Sequence, residues 1–311
     1  MKTRIALGIA VGLIAAICIG TAGVNAAILA ESSFDRTLEV SGPVTLSVST
    51  ASGGVHVHAG TDRQIHIVAH VRADDRLTQS EADAAVKQIA ANPPIRQMGS
   101  MISIGPDRED PLYHNIGIEY DIVTPKQTTL TAKSGSGNIQ VADLAQEVNA
   151  LTGSGDVQAD NIGTKVKLAT GSGSVHAHGI AGDADVSAGS GTIELQQSVA
   201  GDVHARTGSG SIHIDGAKKA LIAETGSGSI TVSGAVSTSG WRLRTGSGRV
   251  TLDLGSTARF TLDAQSSNGG IHLEQPILMQ GSLNNHHIHG AVNGGGPEVS
   301  IETGSGSIEI R

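Results

Sequence analysis

Three histidine pairs are the groups in this chain whose type and spacing could do chemistry: His56 and His58, His176 and His178, His287 and His289. In an extended strand, residues two apart point to one side and stand ~7 Å from each other. Imidazole nitrogens bind zinc and its neighbours in the first transition row, but two of them need a third donor to make a centre. The middle pair has a candidate, because Glu194 follows His176 by 18 residues. If that interval is one rung of stacked strands at ~4.8 Å, Glu194 falls beside His176. His176, His178 and Glu194 can then converge on one ion at ~2.0–2.2 Å, leaving water as the fourth ligand. By the same stacking His213 stands beside Glu194, and Asp160, His178, Gln196 and Asp215 form the parallel column. The opposing reading is a solvated polar face whose histidines never meet, since exposed side chains need outer hydrogen bonds to be held for a metal.

Other chemistries fit less well. Calcium-binding solenoids stack aspartates after a Gly-Gly-x-Gly turn. The equivalent positions here read Asn138, Asp156, Ser174, Thr192, Ser211, Ser229, Arg249, Gly270 and Ser307, which is one aspartate in nine. No Ser-His-Asp or Cys-His arrangement is legible, and no motif calls for a cofactor. A carbohydrate-active β-helix enzyme would need carboxylates and a basic residue fixed in one cluster, and the outward columns repeat no such cluster. That enzyme is the second class of function to weigh, because one fold hosts many activities. With a net charge of −8 and no basic run, nucleic acid is an unsuitable partner.

The elements that position these side chains repeat. Thr-Gly-Ser-Gly-Ser-Ile occurs at Thr207–Ile212, Thr225–Ile230 and Thr303–Ile308. The first glycine of each copy falls at Gly135, Gly153, Gly171, Gly189, Gly208, Gly226 and Gly246, then at a degenerate Ser267 and at Gly304. The steps are 18, 18, 18, 19, 18, 20, 21 and 37 residues. Such a period marks a solenoid of small units that bury their apolar sides only by stacking. Four residues after each first glycine stands Ile139, Val157, Val175, Ile193, Ile212, Ile230, Val250, Ile271 or Ile308. Six residues after it stands Val141, Ala159, Ala177, Leu195, Ile214, Val232, Leu252, Leu273 or Ile310. The polar residues between them, His176, Glu194 and His213 among them, must face outward. A lone apolar residue follows at a turn (Leu144, Ile162, Ile180, Val199), and then a second strand such as Val166-x-Leu168-x-Thr170. The fold class is therefore all-β, a single-stranded parallel β-solenoid with rungs of ~18 residues.

Residues 1–30 hold Lys2 and Arg4 followed by an uncharged run from Ile5 to Ala30. That pattern fits a secretory signal peptide or a retained N-terminal membrane anchor, so residues after Ala30 are expected outside the cytoplasmic membrane. The one cysteine, Cys18, lies in this run. Residues 31–130 read as N-terminal β rungs interrupted by a helix over 78–92, opened by the capping box Thr78-Gln79-Ser80-Glu81 and stopped by Pro93-Pro94. Residues 131–311 are the regular Gly-Ser-Gly repeats. With Arg311 directly after the strand Ser307–Ile310, the last rung is expected as an open edge where the chain self-associates or docks a strand.

Ile118–Pro125, followed by Lys133-Ser134-Gly135-Ser136-Gly137-Asn138-Ile139, resembles the bacterial putative-adhesin family, a domain of unknown function related to head-GIN domains. Val292-Asn293-Gly294-Gly295-Gly296-Pro297, leading into Ile301–Ile308, shares the likeness, which spans about Leu38 to Arg311. His286-His287-Ile288-His289 is not part of it. The resemblance implies a right-handed β-helix exported to a bacterial envelope, and it brings no catalytic residues. The function expected from all this is a non-catalytic, adhesin-like scaffold in the periplasm, envelope or cell surface, with a protein or polysaccharide partner. The alternatives are a carbohydrate-active β-helix enzyme and a weak transition-metal-binding envelope protein.

Overall fold

The computed structural model describes residues 29–60, 63–106, 110–237, 239–274, 276–279 and 286–311. The apolar segment expected as leader or anchor lies almost wholly outside the described residues. Among the described residues no helix is long and apolar enough to cross a membrane.

One rung shows how the chain is built. Val148–Ser154 forms a strand with Val148, Ala150 and Thr152 buried, and Val157–Asp160 forms a second with Val157 and Ala159 buried. The corner between them is Gly153-Ser154-Gly155, and Ile162 closes the far turn from inside. Stacked in parallel and in register, the second strands place Val157 on Val175, Ile193, Ile212, Ile230 and Val250 in turn. Among the described residues the result is two sheets, of thirteen and fourteen strands, with the aliphatic columns facing each other. This is the β-solenoid expected from the period. Ile212 is 1% exposed and His213, one residue on, is exposed, which fixes the phase of the columns.

Glycine at the corner is a packing requirement. A Cβ added to Gly171 would stand 2.6 Å from the Gly153 carbonyl oxygen, closer than any real contact, and Gly173 has φ +138°. Neither position tolerates a side chain without separating the rungs. Inside the corner runs a column of buried threonines. Thr170 Oγ1 donates to the Gly155 carbonyl at 2.7 Å, and Thr152, Thr225 and Thr245 do the same to Gly137, Gly210 and Gly228.

At the far turn the expected apolar column holds for Leu144, Ile162 and Ile180, which are fully buried, but Val199 is 55% exposed. Gln197 takes its place, paired with Ile180 across a register shift. Its Nε2 donates to the carbonyls of Gly182 and Gly201 at 3.0 and 3.2 Å, while its buried Oε1 has no hydrogen-bond partner. This is the rung with the 19-residue step, and the extra residue displaces Val199 outward.

Both ends depart from simple stacking. In place of successive N-terminal rungs, Ala30–Glu39 and Gln64–Ala73 pair antiparallel with each other, and Gln64–Ala73 pairs antiparallel with Ile116–Thr124. The helix Gln79–Ala91, N-capped by Thr78 with the capping box formed, packs on those first two strands and puts Ala82, Val86 and Ile89 into the common core. The rung Val44–Ala59 is then flanked on one side by Met101–Ile104 with Ile116–Thr124 and on the other by Thr128–Ala142.

The other end is the mirror of this arrangement and overturns the open C-terminal edge. Glu298–Ser305 lies between Trp241–Ser247 and Phe260–Ser266. Ile308–Ile310 likewise lies between Val250–Asp253 and Ile271–Leu273. The last rung is thus paired on both sides, and the edge expected for self-association is inside the stack. Ile271 and Leu273, read from the sequence as core, are only half-buried because their strand is the one at the sheet's edge.

Candidate metal centre

Val175–Ile180 alternates Val175, Ala177 and Ile180 inward, each fully buried, so His176 and His178 share the outer side of the thirteen-stranded sheet. The next strand, Ile193–Gln197, anchors Ile193 and Leu195 in the core and sets Glu194 beside His176 in register. His176 Nδ1 lies 3.0 Å from Glu194 Oε2, and one ligand atom from each of His176, His178 and Glu194 lies within 4.8 Å of the others. Ligand atoms at the corners of a zinc tetrahedron with ~2.0–2.1 Å bonds stand about 3.3 Å apart. Three donors this close could serve one ion, with the solvent side left for water. Two imidazoles and a carboxylate suit zinc and neighbouring divalent metals and suit calcium poorly.

The carboxylates on either side of the triad are themselves hydrogen-bonded. Asp160 is the cross-strand neighbour of His178, and its Oδ2 accepts from Gln158 Nε2 at 2.7 Å. On the other side Asp215 accepts from Ser233 Oγ and from Gln196 Nε2. The Ser233 hydroxyl chiefly, helped by Gln196 and by the charge of His213, holds the Asp215 carboxyl below the usual carboxylate range. Of the column Asp160, His178, Gln196, Asp215 read from the period, Asp160 pairs with His178 and Gln196 with Asp215, but a register shift after Ala177, where Gly179 takes φ +68°, breaks the link between His178 and Gln196.

The other two histidine pairs also face carboxylates, which sequence reasoning did not find. His56 Nδ1 lies 3.0 Å from Asp121 Oδ1, and His287 Nε2 lies 2.8 Å from Asp263 Oδ1. No period links these partners. Asp121 belongs to a rung stacked out of chain order, and Asp263 faces His289 across an antiparallel pair.

The family model described as Toastrack DUF4097 matches residues 43–311. The chain belongs to the Toastrack family. This Toastrack chain has no match among curated proteins. Among solved structures it is similar to a putative cell adhesion protein from Clostridium sporogenes, with 12% identity, a TM-score of 0.23, and 90% of this chain and 99% of that one covered. A putative adhesin from Bacteroides fragilis gives 12% identity, a TM-score of 0.31 and coverages of 90% and 97%. A putative lipid binding protein from Parabacteroides distasonis gives 14%, 0.37, 90% and 96%. Likeness at this level passes no ligand or activity to the Toastrack chain described here.

Proposed function

We propose that this Toastrack protein is an exported, non-catalytic interaction scaffold of the cell envelope, and that it engages its partner through a divalent transition metal held by His176, His178 and Glu194. The observation that carries this reading is the approach of three ligand atoms to within 4.8 Å on an outward sheet face. An open face of a rigid stack suits contact with a large protein or polysaccharide surface. A donor set with a free coordination position lets a carboxylate or imidazole of that surface complete the centre. Export is supported by the uncharged run Ile5–Ala30 behind Lys2 and Arg4. The non-catalytic reading is supported by the outward columns, whose carboxylates gather into no acid–base pair that the period repeats.

Calorimetric titration of zinc into the mature chain, with any affinity tag removed, tests the centre. Saturable binding below millimolar zinc, weakened at least about tenfold in His176→Ala and in His178→Ala, is the expected result. Binding that ignores both substitutions, or none below millimolar, refutes it. Fractionation of cells expressing the full chain tests export, and recovery in the cytosol alone refutes that part.

A further inference from the structure

We propose that the cleft around Tyr113, at the N-terminal end of the stack, is a binding site for a neutral saccharide. Two cavities of about 490 and 480 Å³ lie side by side there and share Ala51 and Tyr113 in their walls. Each is within the usual size range of a small-molecule site.

The cleft exists because one corner is not covered as the others are. On one side Gly135 packs on Ala51, where an added Cβ would stand 2.4 Å from the Ala51 carbonyl oxygen. On the other side the covering rung comes in two pieces, Met101–Ile104 and Ile116–Thr124, joined through residues 105–115 rather than by a Gly-Ser-Gly corner. Gly105 packs on Ser49 and Gly117 on Ser52, so Ala51 between them is left facing the cavities. Gly117 is also the cross-strand partner of Arg72, and it puts no side chain into the space beside that residue. The turn Pro111–Tyr113 carries Tyr113 into the wall of both cavities. Asp110 caps this turn by accepting from the Leu112 amide at 3.0 Å. Asn115, at φ 62°, redirects the chain into the strand, and its carbonyl accepts from the Asp74 amide at 3.1 Å.

Three features select the ligand. Tyr113 is half-buried, whereas the other four aromatic residues, Phe34, Tyr120, Trp241 and Phe260, are at most 4% exposed and belong to the core. An aromatic side chain in a cleft wall offers an apolar face and a polar tip, which match the C–H face and hydroxyl rim of a sugar ring. Around it stand Arg72, Arg76, Asp74, Glu119 and Asn115, whose planar groups can each bond two neighbouring hydroxyls. Their charges cancel. Arg72 Nη1 lies 3.1 Å from Glu119 Oε2, and Arg76 Nε lies 3.8 Å from Asp74 Oδ2. The second cavity sets Lys133 against Asp110 in the same way. A balanced lining asks for no net charge on the ligand, and one this rich in ions rejects a lipid chain, which would desolvate them without replacing their hydrogen bonds. This site does not depend on the outer-face metal centre.

The test is calorimetric titration of the mature chain with hexasaccharides of glucose, mannose and N-acetylglucosamine. Hexagalacturonate serves as the acidic control and dodecanoate as the lipid control. At least one neutral hexasaccharide is expected to bind saturably below millimolar concentration. Tyr113→Ala weakens that binding at least about tenfold, whereas Tyr113→Phe, which keeps the ring, changes it less than about threefold. Glu119→Gln, on a strand rather than the turn, weakens it at least about threefold and serves as the second variant, with thermal melts to check both folds. The proposal is overturned if no neutral hexasaccharide binds, if hexagalacturonate or dodecanoate alone does, or if binding ignores both Tyr113→Ala and Glu119→Gln. His176→Ala leaves saccharide binding unchanged, so failure of the metal centre and failure of this cleft are read separately.

Discussion

Thr170 Oγ1 donates across rungs to the carbonyl of Gly155, the residue whose positive φ turns the preceding corner. Thr170 is 5% exposed and Gly155 is half-buried, so the hydroxyl has little access to water. Thr170→Val keeps the shape and removes the donor. It is expected to lower stability by about 1–3 kcal/mol in urea denaturation, the range for a buried polar group left unpaired.

Ala188 occupies the same column, between Thr170 and Thr207. By the pattern of its neighbours, a hydroxyl there reaches the carbonyl of Gly173. Ala188→Thr is therefore expected to raise the denaturation midpoint, by about 0.5–1.5 kcal/mol in stability. An unchanged or lowered midpoint means the corner cannot admit the larger side chain.

Ile212 and His213 separate core from face. Ile212→Ala leaves a cavity between Ile193 and Ile230 and is expected to cost about 2–5 kcal/mol. His213→Ala, at an exposed position, changes stability by less than about 0.5 kcal/mol. Thermal or denaturant unfolding of the two variants checks the difference.

The periodic part of this architecture is legible in the sequence because the 18-residue step keeps the strand alternation in phase, so each Val, Ile or Ala column can be read off directly. The pairing of His176 with Glu194 is legible for the same reason, as neighbours one period apart in a parallel stack. The order of rungs at the ends was not legible. Thr245–Val250 and Thr303–Ile308 carry nearly the same corner, and a corner motif does not say which copy it stacks on. Gly304 fits over Gly246, where a Cβ would come within 2.6 Å of the carbonyl oxygen, while the degenerate corner at Ser267 takes the outside place. Asp263 escaped for a related reason: antiparallel partners obey no period.

The wedged rung makes a second contrast. The Ile308 amide donates to the Gly270 carbonyl at 3.0 Å, and the Glu274 amide donates to the Ile310 carbonyl at 3.0 Å. Residues 270 and 274 thus turn their peptide groups toward the inner rung, and Leu273 turns its amide to the free edge. Ile308→Pro removes an interior ladder bond and is expected to unfold this end, whereas Leu273→Pro is tolerated far better. Proteolysis within residues 254–297 reads the difference.

The helix cap predicts a pH dependence. Glu81 accepts from Thr78 Oγ1 at 2.7 Å and from the Thr78 amide at 2.9 Å, and these bonds hold its carboxyl below the usual range, the side-chain bond most. A lowered folded pKa adds stability that is fully present above the unfolded value of ~4.3 and is lost as pH falls through the folded one. The stability gap between the wild type and Glu81→Ala is expected to be level from pH 7 to 5 and to shrink below about pH 4. Thermal melts across that range check it.

Residues 298–310 leave the ribosome after residues 260–292, yet their seat lies nearer the middle of the stack. The two sheets cannot zip up in the order the chain is made. When Phe260–Leu273 emerges, the surface of Trp241–Asp253 is the free end on offer, and any pairing formed there has to be undone. The better-matched corner at Thr303–Ile308 gives that exchange its direction. Native pairing at this end therefore has to wait for residues 298–310, unlike that of the regular rungs before it.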